Sequence, residues 1–220
     1  MSSTAEQATS TVPLAPGRWT LDPTHSSVVF AVRHLGLSKV WGRFERFDAK
    51  LDVGATPADA AVEATIDMVS VNTSNQDRDA HLRSTDFFDT ERHPTMEFRS
   101  LKLTGQDSEW ELDGELTING ITRPITLDVE FSGLSPFPPP DGLLHAGFSA
   151  SGELRRSEFG IELGIMPVGT DKLALGDKVR FELDLEFVEP QPAAHLNCRR
   201  WSERGQLFHS SSATTRCVDC

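Results

Sequence analysis

Cysteine is scarce in this chain. Its 220 residues contain three, Cys198, Cys217 and Cys220, all near the end, so the body has no disulfide framework and is held together by burial alone. The opening, MSSTAEQATSTVPLAPG, lacks the basic start and apolar core of a signal peptide, and no apolar run is long enough to cross a bilayer. The expectation from these absences is a soluble protein of the reducing cytoplasm. Positive charge is also in short supply, with 21 Lys and Arg against 33 Asp and Glu, a net charge of −12. A phosphate backbone is repelled by that balance, and no basic stripe interleaved with aromatics offsets it, so nucleic acid is excluded as a partner. The body also lacks a Ser, His and Asp pairing, a glycine-rich phosphate loop and a close pair of cysteines. Residue chemistry therefore favours a binder over an enzyme.

What the chain has is alternation with a period of two, the mark of half-buried strands. Val28, Phe30, Val32 and His34 share one face of a first strand. Trp41, Phe44 and Phe47 surround Gly42 in a second, curved one, and Val62, Ala64, Ile66 and Met68 mark a third. Met96, Phe98, Leu101 and Leu103 continue the pattern with a bulge expected near Ser100. Trp110 to Ile118 and Ile125 to Phe131 flank Asn119-Gly120, a turn pair that supplies the positive φ a tight hairpin needs. The run GFSASGELRRSEFGI ends in a turn at Phe159-Gly160, Gly164 to Asp177 reads as a loop, and Val179 to Phe187 makes the last strand. About eight strands with few exposed edges imply an all-β fold, an antiparallel closed barrel. Its acidic outer faces read as solvated surface, and its interior holds packed side chains or one apolar ligand. Residues 1–16 read as a disordered leader, 17–190 as the barrel and 191–220 as a disordered or adventitious tail.

The alternation breaks between Ser70 and Phe98. Asn75 or Asp77 caps a short helix there, which carries Ala80 and Leu82 and ends at Ser84 or Thr85. Two readings of the insertion stand side by side. In one, Asp77, Asp79, Asp86 and Asp89 are caps and turn formers while His81 and His93 serve local backbone groups. In the other, Asp77, His81, Asp86 and His93 form a metal or acid–base cluster. The tail offers a separate four-ligand zinc set, Cys198, His209, Cys217 and Cys220, without a scaffold to hold it.

Taken in order, the segments WTLDPTHSSVVFAVRHLG, GRFERFDAKLDV, DAHLRSTDFFDTERHPTMEF, GELTINGITRPITLDVEFSG, RRSEFGI and GDKVRFELDLEF resemble the YceI-like family of polyisoprenoid-binding, lipocalin-like barrels, over about Gly17 to Glu189. The resemblance implies an eight-stranded antiparallel barrel with a short helix after the third strand. It also implies a non-catalytic role: binding, transport or sequestration of a long polyisoprenoid or isoprenoid-quinone lipid, with no other cofactor. Carried onto this chain, it names Phe30, Val32, His34, Phe44, Phe87, Phe98 and Phe159 as ligand-binding residues and no metal ligand. His34 reads either as a histidine satisfied by backbone groups or as the residue that meets the polar end of the ligand at the barrel mouth. Transient membrane contact and a homodimer complete the partner expectations. The alternatives are a metal-dependent or acid–base enzyme using His25, His34, Asp86 and His93, and a packed barrel that acts only as an interaction module.

Overall fold

The structure is a computed structural model that describes residues 14–56, 59–106, 108–138, 142–164 and 174–191. Its elements are β1 (Gly17–Leu21), β2 (Ser27–His34), β3 (Ser38–Phe44), β4 (Phe47–Val53), β5 (Ala61–Asp67), β6 (Val71–Asn72), α1 (Gln76–Arg83), β7 (Thr95–Gln106), β8 (Glu109–Ile118), β9 (Ile121–Pro136), β10 (Leu144–Arg155) and β11 (Leu175–Val188). All pairings are antiparallel. Eight strands form a ring in the order β1-β4-β5-β7-β8-β9-β10-β11, closed where β11 returns to β1. β2, β3 and β6 prolong β1, β4 and β5, because the first three lines of chain each bend once. β2 accordingly continues the pairing with β11 that β1 begins, Phe30 standing opposite Phe181. The result is an up-and-down barrel without a free edge around most of its wall.

The three bends have visible causes. At the first, the Asp22 carboxylate accepts from the Thr24 amide and from His25, and the Ser26 hydroxyl accepts from the Glu186 amide. At the second, the Ser70 hydroxyl accepts from the Arg46 amide and donates to the Asp67 carbonyl, tying it to the third. Asn75 is the helix cap; its side chain accepts from the Arg78 amide at 2.9 Å. Asn119-Gly120 turns with positive φ at both residues, as the pair requires. The register of β7 against β8 shifts between Ser100 and Lys102, which turns Leu101 out to solvent while Phe98 and Leu103 stay inside. β11 begins at Leu175, earlier than alternation alone suggests, because Leu175 pairs with His34.

Two apolar clusters fill the ends of the barrel. One, at the end carrying α1, gathers Phe44, Met68, Val71, Leu116, Phe159 and their neighbours. The other gathers Trp19, Leu51, Ala146 and Phe187, with Leu14 packed against it, so ordered contacts reach back before Gly17. Trp19 is fully buried and its indole N–H donates to the Ala15 carbonyl at 2.9 Å. The first thirteen residues and the tail from residue 192, with Cys198, His209, Cys217 and Cys220, lie outside the described residues.

Candidate functional site

Between the two clusters lies a cavity of about 270 Å³ with an almost wholly apolar lining. It runs from Leu51 and Phe187 at the Trp19 end to Phe159 and Ile161 at the helix end. Closure of the ring explains it. A period-two pattern sends every second side chain inward, and an eight-stranded ring leaves more room than the smaller of those side chains occupy. Glycines widen the space further. A Cβ on Gly42 would overlap the Phe30 ring, one on Gly114 the Phe98 ring and one on Gly152 the Phe181 ring. The far end of each ring thus takes the place that a side chain on the neighbouring strand would fill.

Six of the residues expected to meet a ligand, Phe30, Val32, Phe44, Phe87, Phe98 and Phe159, line this cavity. His34 does not. It is the last residue of β2, exposed, at a turn in which Leu35 and Gly36 both have positive φ and the Leu37 amide donates to the His34 carbonyl. His34 is still paired on both sides, with Leu175 of β11 and Ser38 of β3, but these are the last pairs before the hairpin turn and its side chain lies in solvent. Phe87 and Phe88 arrive from the segment after α1, which is pinned by the Asn119 side-chain amide donating to the Phe87 carbonyl at 2.7 Å. Phe88 sits 6.3 Å from Phe44, ring centre to ring centre.

Alternation had concealed one residue of the lining, Arg156, which is 4% exposed. Its guanidinium donates to four backbone carbonyls, those of Ile161, Leu163, Leu175 and Gly176, at 2.7–3.0 Å. Burial pushes its pKa down, and the Asp177 carboxylate works the other way. Burial on its own would raise the pKa of Asp177, but the amide and hydroxyl of Ser157 outweigh it, and the carboxyl stays below its ordinary range. Arg156 thus clips the chain before and after the 165–173 segment to one end of the cavity. In the sequence it is one of two adjacent arginines in the run read as a strand ending in a turn, with nothing local to mark it as buried.

The polar cluster considered for the insertion is not assembled. His81 bonds Asp86 at 2.9 Å and stands edge-on to Phe87, both at the surface, while Asp79 accepts from the amide and hydroxyl of Thr73. His25 lies at the opposite end with Asp22, so the wider set His25, His34, Asp86 and His93 is dispersed. Among the described residues, one group of three ligand-bearing side chains has its donor atoms within 4.8 Å of one another, Asp22, His25 and Glu186. These already serve the first bend and the His145 ring, whose Nδ1 is 2.6 Å from Glu186. No helix among the described residues is long and apolar enough to cross a membrane.

Comparison with known proteins agrees with this geometry. The family model for the YceI-like domain matches residues 19–187. A UPF0312 protein of Staphylococcus epidermidis is 39% identical over 171 residues, which are 77% of this chain and 96% of that protein. Among solved structures, the YCEI protein of Campylobacter jejuni superposes with a TM-score of 0.61 at 27% identity, covering 87% of this chain and 99% of that one. A polyisoprenoid binding domain from Saccharophagus degradans shares the fold, with a TM-score of 0.62 at 17% identity over 78% of this chain and 98% of that one.

Proposed function

The chain belongs to the YceI-like family, and on that premise we propose that its barrel binds a long polyisoprenoid or isoprenoid-quinone lipid and carries or sequesters it without chemical change. One observation carries the reading, the apolar cavity that extends between the two end clusters. The description of the Saccharophagus barrel as polyisoprenoid binding supports the choice of ligand class. Each buried methylene contributes about 0.8 kcal/mol, so a few isoprene units reach micromolar affinity after the cost of association. The cavity, about 270 Å³, falls just below the range of roughly 300–1,000 Å³ usual for small-molecule sites, so a long chain enters by displacing Phe87 and Phe88. A cytoplasmic location, with exchange at the inner membrane surface, belongs to the same reading and is tested by cell fractionation.

The decisive experiment is denaturing extraction of the purified protein followed by mass spectrometry, with Ala150→Phe as the comparison. Ala150 lines the cavity, and a phenyl ring there fills it at a cost of about 1–3 kcal/mol in stability. The expected result is a prenyl lipid in the wild-type extract and at least a tenfold loss in the folded variant. Absence of any prenyl lipid, together with no uptake of added polyprenol, overturns the reading; a stoichiometric metal revives the enzyme alternative.

A further inference from the structure

The stretch Arg33 to Arg43, RHLGLSKVWGR, has three cations and no carboxylate in a chain where carboxylates outnumber cations. It folds as the β2–β3 hairpin at the helix end. Arg33 and Lys39 stand directly opposite each other on its outer face, an arrangement of like charges that costs stability in a sheet. Neither has a carboxylate partner among the described residues, whereas Arg43 is 3.2 Å from Glu45. Beside them Trp41 is 48% exposed with the Lys39 ammonium 5.3 Å from its ring, and Leu37 at the tip is 70% exposed. Leu163 is exposed as well, on the segment that the hydrogen bond from Leu175 to the Gly164 carbonyl holds next to this hairpin. Cations flanking an exposed tryptophan and leucines are what a headgroup layer accommodates, since the indole and the lysine stem rest at the polar–apolar boundary.

The wall of the barrel is incomplete at the same place. β6 reaches only Arg43 and Phe44, so among the described residues β3 from Ser38 to Gly42 is paired on the β2 side alone. On the other side the cavity is bounded by Leu82, Phe87 and Phe88 of the helical insertion instead of by a strand. The basic apolar hairpin therefore borders the part of the wall that is closed by side chains of the insertion and not by a strand ladder.

We propose that the β2–β3 hairpin is a membrane-docking surface that seats the barrel on anionic phospholipid, with Arg33 and Lys39 among the headgroups and Leu37 and Trp41 below them. This rests on the lipid-carrier reading for its purpose, though not for its measurement. The net charge of −12 opposes approach to an anionic surface overall, so the carboxylate-free hairpin favours the orientation in which the incomplete wall faces the bilayer.

The test is sedimentation of the full chain with extruded vesicles of phosphatidylcholine, with and without 30% phosphatidylglycerol, none containing isoprenoid. Binding is expected only with phosphatidylglycerol, and to weaken with added salt. Each cation removed lowers partitioning about fivefold, so Arg33→Gln with Lys39→Gln lowers it about 25-fold. Trp41→Ser and Leu37→Ser weaken it severalfold with melting temperatures near that of the wild type; if Trp41→Ser does not fold, the charge pair and Leu37→Ser carry the test. Equal binding to both vesicles, binding to neither, or wild-type binding by the charge variant overturns the proposal. Uptake of polyprenol delivered in ethanol is measured in parallel and should be unchanged in Arg33→Gln with Lys39→Gln. A protein that docks but never takes up polyprenol refutes the carrier reading alone; one that fills but never docks refutes the docking surface alone.

Discussion

At one end of the barrel Trp19, Ala146 and Phe187 pack with almost no exposure, and the one polar atom of the tryptophan is satisfied by the Ala15 carbonyl. At the other end the buried groups include Ser70, Thr73, Asp79, Thr90 and Arg156, each held by directed hydrogen bonds to loops or to the helical insertion. Apolar packing loses many contacts at once when it opens, whereas a hydrogen-bonded clamp releases in steps and exchanges its partners with water. Both ends hold fully buried apolar side chains, Met68, Val71 and Phe159 at the helix end among them, but the helix end is closed in addition by these hydrogen bonds, which release one at a time. The basic hairpin and the incomplete wall are found at that second end.

Trp19→Ala attacks the packing of the Trp19 end. Deleting a fully buried indole costs about 3–5 kcal/mol, and the loss should appear as one cooperative shift of the urea midpoint for the whole barrel. Arg156→Met attacks the clamp instead. It leaves four carbonyls without their donor and costs about 2–4 kcal/mol, with faster amide exchange at 160–164 and 174–177 preceding global unfolding. An equal increase in exchange at both ends in this variant would abolish the distinction between them. Asp79→Ala is expected to cost about 1–3 kcal/mol by stranding the amide and hydroxyl of Thr73, and to loosen α1 while leaving exchange in β1 and β10 unchanged.

The smallest effect concerns the Asp22–His25 pair at the first bend. Burial alone raises the Asp22 pKa, but hydrogen bonds from His25 and the Thr24 amide outweigh it and the net shift is downward; the same hydrogen bond and the Asp22 charge raise His25. Asp22 contributes stability above about pH 4 and loses it as pH falls through its lowered folded pKa. His25 contributes below about pH 6.5 and loses it as pH rises through its raised folded pKa. The pair is thus strongest between those limits, and His25→Gln should flatten a shallow maximum in melting temperature there. Because this bend is exposed, the change should be far smaller than that of Trp19→Ala. A maximum that survives the substitution assigns it to other groups.

The alternation of Val28, Phe30 and Val32, or of Trp110, Leu112 and Leu116, is a local property of the chain. It told inside from outside before any pairing was known, and with the Asn119-Gly120 turn it implied the closed antiparallel barrel. Asn75 announced its helix for the same reason, since a cap acts on an amide three residues away. Other features depend on which strands meet. The phase of Leu101 was reversed by a bulge set by its neighbour strand. His34 stands exposed in the last ladder pairs before its hairpin turn, beside the stretch of β3 that β6 does not reach. Arg156 carried no sign of burial in the sequence; the carbonyls that satisfy it come from the turn after it, Ile161 and Leu163, and from the return of β11 at Leu175 and Gly176. The inward residues were determined by the period of the strand; the extent of the cavity, its clamp and its incomplete wall were decided by closure, which joins residues too distant in the chain for a local pattern to relate.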